Sequence, residues 1–247
     1  MTDTNDVFLI TGASRGLGLA MARAFDLHDA ALFLVARGEI VDEFKQAVRY
    51  RADLTVSPEV HDLLEAFDSF LDDRKPGNVT LINNAGTVSP IASADRSDPG
   101  EVDAAIRLNL LTPMWLTSGF IKTIEKRKLS GRVINISSGA AHSAYAGWST
   151  YCAAKAGLDH FTRCVGIEQS DRVNPVTVVS IAPGVIDTDM QSQIRGMNKQ
   201  DFPMLDKFVN LKESGALESA DRVASRLVAF LDDGALKHGG IYDLRDL

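Results

Sequence analysis

The chain has 247 residues, of which 45% are hydrophobic and 24% are charged, a composition typical of a soluble globular protein with a sizeable core. The formal net charge of −7 argues against nucleic acids and anionic membrane surfaces as partners, because both bind basic proteins. The chain has no run of about 18 apolar residues, and its N-terminus, MTDTND, lacks the basic and apolar regions of a signal peptide, so we expect a cytoplasmic protein without a membrane span.

Short apolar segments alternate with longer amphipathic segments along the whole chain. In chain order the predicted elements are a strand at 7–10, a helix at 16–28, a strand at 31–36, helices at 39–50 and 57–73, a strand at 79–83, a helix at 99–126, a strand at 132–137, a helix at 149–169, a strand at 176–182, a helix at 220–233 and a strand near 239–242. The strands are continuously apolar, which indicates burial on both faces. The sequence therefore predicts one α/β domain over 1–247, a Rossmann-type doubly wound parallel sheet of about seven strands with helices on both faces.

The segment 186–219, called the lid segment below, is the least regular part of the chain and is rich in Met, Gln, Asn and Lys. A long irregular segment inside a compact domain is often a lid over a site, so we expect it to cover a substrate.

The two cysteines, Cys152 and Cys164, lie too far apart along one predicted helix to form a disulfide, and we interpret both as buried thiols. The histidines have no partners at the spacing of metal ligands, so we expect no metal site.

The sequence TGASRGLG follows the first predicted strand and opens the first predicted helix. The free backbone N–H groups and the dipole of a helix N-terminus bind phosphate, and glycine allows the backbone to approach the ligand closely. The spacing G-x-x-x-G-x-G differs from the more common G-x-G-x-x-G. The turn predicts a dinucleotide site; the alternative is a loop whose glycines serve only tight packing.

The second predicted strand ends with Arg37 rather than with the acidic residue that binds the ribose hydroxyls of NAD in this fold. Arg15 of the glycine turn can reach the same region, and two guanidinium groups suit a 2′-phosphate. This pattern favours NADP(H) over NAD. The alternative is a solvent-exposed Arg37 without a ligand.

Further motifs occur along the chain, in the order NNAG (83–86), RLNLL (107–111), NISS (135–138), YCAAK (151–155) and APGVIDTDM (182–190). With the glycine turn, these motifs, their order and their spacing make the chain resemble the single-domain short-chain dehydrogenase/reductase family. A narrower resemblance, in GWSTYCAAKAGLDHF, PGVIDTDMQ and KHGGIYDLRD, is to the sepiapterin reductases and benzil reductases. The resemblance implies an NADP-dependent oxidoreductase acting on CH–OH groups, assembled as a homodimer or homotetramer through the helices predicted at 99–126 and 149–169.

The resemblance also implies the residues of the site. The catalytic set is Ser138, Tyr151, Lys155 and Asn109, with Ser137 as the less favoured serine. The cofactor would be bound by Thr11, Gly12, Ser14, Arg15, Gly16, Leu17, Gly18, Arg37, Asp53, Leu54, Asn84, Ala85, Gly86, Tyr151, Lys155, Pro183, Gly184, Val185 and Thr188. Asp53 would contact the adenine. Asp243 would bind the substrate as the anchor of a pterin. Independently of the resemblance, Tyr145 and Trp148 precede Tyr151 in the sequence and either wall the substrate site or serve only packing.

Tyr151 and Lys155 lie four residues apart, so their side chains share one face of the predicted helix. A phenol has an ordinary pKa of about 10, and a nearby cation typically lowers such a value by roughly 1–3 units. We therefore expect Tyr151 to exchange a proton with a substrate oxygen while Ser138 donates a second hydrogen bond to it. A surface pair on a helix is the alternative interpretation of these two residues.

These observations favour an NADPH-dependent carbonyl reductase of a small ketone or 1,2-dicarbonyl compound, similar to benzil or sepiapterin. Two alternatives to this interpretation stay open. One is an NADP-dependent alcohol dehydrogenase of another substrate class, and the other is an NADP-binding sensor without catalysis. His142, which follows the predicted serine strand, either lines the pocket or is an ordinary loop histidine.

Overall fold

The computed structural model describes residues 6–234 and 236–247 as a seven-stranded sheet flanked by helices. The strands are β1 (Val7–Thr11), β2 (Ala31–Ala36), β3 (Ala47–Arg51), β4 (Val79–Asn83), β5 (Gly131–Ile136), β6 (Thr177–Ala182) and β7 (Ile241–Asp243). All neighbouring strands are parallel, and their order in the sheet is β3-β2-β1-β4-β5-β6-β7. The predicted Rossmann-type doubly wound sheet is confirmed.

The helices connect these strands on both faces of the sheet. They are α1 (Gly16–Asp26), α2 (Ser57–Phe70), α3 (Pro99–Ile106), α4 (Thr112–Arg127), α5 (Ser149–Ser170), α6 (Asp189–Arg195), α7 (Leu205–Glu213) and α8 (Ala220–Asp232). A π-helical segment, Arg107–Leu111, joins α3 to α4, and a 3₁₀ turn, Gly139–Ala141, precedes α5. None of the described helices combines the length and the apolar character that a membrane crossing requires. We predicted that the N-terminal sequence MTDTND is not part of a signal peptide, and most of this sequence lies outside the described residues.

The central strand β1 is buried on both faces. Phe8 and Ile10 pack into the core formed with α1 and α8, whereas Val7 and Leu9 pack into the core formed with α2 and α4. Because successive side chains of a strand point to opposite faces, burial on both sides requires an unbroken apolar run, which is what the sequence of β1 contains.

The sheet order reverses at β1, which pairs with β2 on one side and with β4 on the other. The loops that leave the carboxyl ends of β1 and β4 therefore turn to opposite sides and open a crevice between them. The chain segments that follow β1, β4 and β5 meet at this edge of the sheet, where the sequence places the glycine turn, NNAG and NISS.

The prediction of a helix at 39–50 is wrong. Residues 47–51 form β3, which pairs with β2 at the edge of the sheet, and 39–46 contain no helix. An edge strand is only half-buried, and its apolar residues here are spaced so that they also fit a helical stripe. The pairing of this segment with β2 decides between a strand and a helix, and that pairing cannot be recognised from the local pattern of residues.

The helix predicted at 99–126 is divided into α3, the π-helical segment and α4. Pro113 lies at the start of α4 and has no backbone N–H to donate to the carbonyl of Asn109. The missing donor explains why the regular α-helical ladder is interrupted one turn before Pro113.

Two further expectations are corrected. The lid segment contains the short helices α6 and α7 and is thus more regular than predicted. Helices α6 and α7 are only seven and nine residues long, which is too short for their helical periodicity to be recognised in the sequence.

Cys164 is exposed and Cys152 is partly exposed on α5, so the interpretation of both as buried thiols is wrong.

Two leucines offer a matched test of this core. Leu63 of α2 is fully buried, whereas the side chain of Leu27, at the end of α1, is 81% exposed. We expect Leu63→Ala to lower the free energy of unfolding by about 2–5 kcal/mol because it leaves a cavity. Leu27→Ala should change it by less than about 0.5 kcal/mol. Urea denaturation followed by circular dichroism measures both, and equal effects would contradict the packing described.

Candidate active site

The turn between β1 and α1 is built from glycines that pack directly against the end of β4. Gly12 has a φ of +69°, and a Cβ there would lie 2.9 Å from the Cα of Ala85. A Cβ on Gly18 would lie 2.2 Å from the carbonyl oxygen of Gly12. No side chain caps the N-terminus of α1, and its first turn has no acidic residue. The turn thus offers uncapped N–H groups and a positive helix end, which fit a phosphate group.

Below this turn, Thr11 and Asn84 hold the ends of β1 and β4 together. The Thr11 hydroxyl donates to the carbonyl of Ile82 at 3.2 Å and accepts from the N–H groups of Asn84 and Ala85 at 3.0 and 3.1 Å. The Asn84 side chain donates to the Thr11 carbonyl at 2.9 Å. Thr11 is buried and its hydroxyl is engaged, so it shapes the turn. Leu17 likewise points into the core, whereas Ser14 is partly exposed.

The two arginines predicted at the adenosine end are both exposed. Arg37 lies just after β2, and Arg15 lies 3.0 Å from the carboxylate of Asp189 on α6. Asp53 accepts hydrogen bonds from the backbone N–H and the hydroxyl of Thr55, at 2.9 and 2.8 Å. The backbone hydrogen bond from Thr55 is the main cause that lowers the pKa of Asp53, and the charge of Arg37 lowers it further. Leu54 beside it is buried.

The predicted catalytic residues come together where β5 ends against α5. Tyr151 and Lys155 are 8% and 6% exposed, and the Lys155 ammonium lies 5.9 Å from the centre of the Tyr151 ring. Lys155 donates to the carbonyl of Ile136, the last residue of β5, at 2.7 Å. Ser138 makes a hydrogen bond with Tyr151 and is therefore the serine next to the phenol. The hydroxyl of the neighbouring Ser137 has no hydrogen-bond partner among the described residues.

Burial dominates the electrostatics of this cluster. It raises the pKa of Tyr151, and the hydrogen bond with Ser138 opposes that shift. It also lowers the pKa of Lys155 to about 8, against the raising influence of the Asp159 carboxylate. The sequence predicted a Tyr151 made more acidic by Lys155; instead, the cost of removing a phenolate from water is the largest effect on Tyr151.

Asn109 lies in the π-helical segment and is fully buried. Its side-chain oxygen accepts from the N–H of Thr87 at 3.0 Å, and its side-chain nitrogen donates to the Thr87 carbonyl at 2.8 Å. A Cβ on Gly86 would lie 2.9 Å from the Asn109 oxygen, which explains a glycine there. Asn109 thus fixes the chain that leaves β4 at the floor of the crevice.

The segment 183–188, which follows β6, is tied to the chain beyond α7 and reaches the glycine turn. The carbonyl of Val185 accepts from the N–H of Glu218 at 3.2 Å. A Cβ on Gly16 would lie 3.4 Å from the methyl carbon of Thr188. The structure therefore brings the last predicted cofactor motif against the first.

Beside Tyr151 lies a cluster of aromatic rings, called the aromatic cluster below. Its members are Tyr145, Trp148, Tyr151, Phe202 and Phe208. Trp148 is central: its ring centre lies 5.5 Å from Tyr151, and it stacks on Phe202 at 4.8 Å. Phe202 and Phe208 were not predicted from the sequence, although they are the two aromatic residues of the lid segment and were a usable signal.

Asp243, the predicted pterin anchor, is occupied by an ion pair. The Nε of Arg245 donates to its carboxylate at 2.9 Å, and the hydrogen bond from Arg245 holds the pKa of Asp243 below its ordinary value. Arg245 also lies against Gly184, where a Cβ would be 3.4 Å from its side chain. The C-terminal segment thus reaches the segment that follows β6, but the carboxylate of its aspartate is already paired with an arginine.

Comparison with known proteins agrees with this geometry. The family model described as short chain dehydrogenase matches residues 6–199. A benzil reductase ((S)-benzoin forming) of Bacillus subtilis (strain 168) is 38% identical over 241 residues, which cover 98% of this chain and 99% of the relative. A sepiapterin reductase of Mus musculus is 33% identical over 257 residues, which cover 97% of each chain.

A solved structure shows the same architecture. The crystal structure of the KRED1-Pglu enzyme is similar with a TM-score of 0.80 and 27% identity, covering 96% of this chain and 99% of that chain. The resemblance predicted from the motifs, including the narrower one to sepiapterin and benzil reductases, is confirmed. The chain therefore belongs to the short-chain dehydrogenase family, whose members are oxidoreductases that bind NAD(P)(H).

Proposed function

We propose that the protein is an NADPH-dependent carbonyl reductase that acts on a small aryl ketone or 1,2-dicarbonyl compound. The observation that carries the proposal is the cluster of the half-buried Ser138 with the buried Tyr151 and Lys155, which borders the aromatic cluster. The similarity to a benzil reductase over nearly the whole chain supports the same reaction class.

The residues at the crevice fit a nicotinamide dinucleotide. The close approach of Gly12 and Gly18 and the uncapped start of α1 suit its phosphates. Lys155, on α5 beside the end of β5, would hold the nicotinamide ribose, and the segment 183–188 would hold the carboxamide. When bound, the dinucleotide supplies the hydride, while the protein supplies position and electrostatics.

Tyr151 would act as the proton donor to the substrate oxygen, and Ser138 as a second hydrogen-bond donor. Burial raises the pKa of Tyr151, so the phenol keeps its proton at neutral pH. A protonated phenol is the form that reduction requires, whereas alcohol oxidation requires the phenolate. The protonated phenol thus suits the role of Tyr151 as a proton donor.

The surroundings of Tyr151 favour a flat apolar substrate over a pterin. Trp148 and Phe202 offer aromatic surface beside the phenol. The carboxylate of Asp243, which would have to anchor the amino groups of a pterin, is already paired with Arg245. We propose that the chain forms a single domain and that its lid segment, which contributes Phe202 and Phe208, closes over such a substrate.

The cofactor preference rests on the charge at the end of β2. Arg37 is exposed there, close enough to Asp53 to lower its pKa, and no acidic residue occupies the position that binds the ribose hydroxyls of NAD. Arg37 and Arg15 would bind the 2′-phosphate of NADPH.

The first experiment follows NADPH oxidation by absorbance with benzil, other 1,2-diones and sepiapterin. We expect turnover of benzil and of aryl diones and little turnover of sepiapterin. Tyr151→Phe should lower kcat by about 10²–10⁴-fold, because it removes the proton donor, while NADPH binding measured by fluorescence is kept. Tyr50→Phe on β3 makes the same change away from the site and should leave kcat unaltered. Tight NADPH binding without turnover of any carbonyl compound would favour the sensor instead.

The cofactor assignment has its own test. Arg37→Ala should raise the KM for NADPH by about 10–100-fold and leave the KM for NADH unchanged. This fold-change corresponds to the loss of one charge-assisted hydrogen bond, which contributes about 1.5–3 kcal/mol. Arg222→Ala, at an exposed position of α8, is the matched control. A wild-type protein that prefers NADH over NADPH would contradict the assignment.

We also propose that the protein forms a homodimer or homotetramer through α4 and α5. The two helices line one groove that includes the half-buried Ile121 and Phe161. Apolar side chains grouped on a surface and rimmed by polar ones are typical of an interface. Light scattering should give a multiple of the 26.7 kDa chain mass; a mass of one chain would contradict the assembly.

A further inference from the structure

A carboxylate is buried one helical turn beyond Lys155. Asp159 lies on the same helix, α5, and is 1% exposed. Among the described residues, neither of its side-chain oxygens accepts a hydrogen bond. Burying an unpaired carboxylate is costly, so its charge must be compensated by cations nearby.

Two titratable groups interact with this carboxylate. The Nε2 of His142 lies 3.2 Å from one Asp159 oxygen, and the His142 side chain is 55% exposed. Lys155 is the second group, since the charge of Asp159 acts on its pKa. His142 follows the 3₁₀ turn that packs on α5, so its imidazole lies between the buried carboxylate and solvent.

The other elements packed against α5 carry charged groups of their own. Arg107, in the π-helical segment, pairs with Asp103 at 2.7 Å, and Asp243, on β7, pairs with Arg245. On α4, Glu125 pairs with Arg172, just beyond the C-terminal end of α5, and Lys122 lines the groove between the two helices. Among the described residues, His142 lies within ion-pair distance of Asp159, and Lys155 is the buried group on which the charge of Asp159 acts.

The need for a carboxylate at this position follows from the burial of Lys155. Burial lowers the pKa of Lys155 to about 8, and Asp159 opposes that shift. Without the opposing charge, the lysine would lose its proton at a lower pH. A neutral lysine could no longer attract the ribose hydroxyls or stabilise negative charge near Tyr151.

We propose that Asp159 and His142 are a positioning pair for the reaction: Asp159 keeps Lys155 in its ammonium form, and His142 shields the Asp159 carboxylate from solvent. Tyr151, Lys155 and Asp159 follow each other at one-turn intervals on one face of α5, and neither member of the pair touches the substrate. The inference rests on the proposed role of Lys155 in carbonyl reduction.

The direct test measures the titration of Lys155 by NMR in protein labelled with ¹³C and ¹⁵N lysine, with Lys155→Arg used to assign its signal. We expect a midpoint of about 8 in the wild type and a midpoint lower by roughly 1 unit in Asp159→Asn. Asp171→Asn makes the same charge change at the exposed end of α5 and should leave the midpoint unchanged. An unchanged midpoint in Asp159→Asn overturns the proposal.

Activity provides a second readout that a purely structural role would not move. The alkaline fall of kcat for benzil reduction should shift to lower pH in Asp159→Asn by the same amount as the midpoint, with little change at pH 6. A loss that is equal at all pH values overturns the proposal. If the wild type reduces no carbonyl compound, the proposed function fails, whereas the NMR midpoint still decides the electrostatic role of Asp159.

A second variant covers the case in which Asp159→Asn does not fold. His142→Ala changes a largely exposed side chain and should leave the fold intact. It admits water to the carboxylate, and water weakens the attraction between Asp159 and Lys155. We expect a smaller downward shift of the Lys155 midpoint, and an unchanged or raised midpoint overturns the proposal.

Discussion

Lys155 carries an ammonium group into the interior at the point where β5 ends. A buried cation is stable only with compensating partners. The partners here are the Ile136 carbonyl, at 2.7 Å, and the negative charge of Asp159. Because the carbonyl belongs to the last residue of β5, this contact joins α5 to the end of that strand, and the buried hydrogen bond from Asn135 to Thr162 joins the same two elements further along. Together they hold Tyr151, one turn from Lys155, next to the serine that follows β5.

The other half of the site depends on how closely β1 and β4 approach each other at the reversal of the sheet. Thr11 and Asn84 join the two strand ends, and no side chain fits at Gly12 or Gly18. The glycine turn after β1 and the cluster of Ser138, Tyr151 and Lys155 at the end of β5 are therefore positioned by strands of one sheet that lie on either side of β4. Asn109 extends this frame by holding the chain after β4, and the π-helical interruption puts it there.

The aromatic cluster connects this frame to the lid segment. Trp148 contacts Tyr151 on one side and Phe202 of the lid segment on the other. Tyr151 and the phenylalanines of the lid segment are thus linked through one indole ring. At the C-terminal side, Arg245 pairs with the Asp243 carboxylate.

The sequence by itself determined the features that local pattern encodes. The four-residue spacing of Tyr151 and Lys155, the glycine turn and the apolar strands are such features, and the parallel sheet followed from their alternation. Only the tertiary structure decided that residues 47–51 form a strand, because the pairing with β2 is not local. It also decided that burial raises the pKa of Tyr151 and that Asp243 is paired with Arg245. Desolvation depends on all the atoms that surround a group, and these come from parts of the chain that are far apart in sequence.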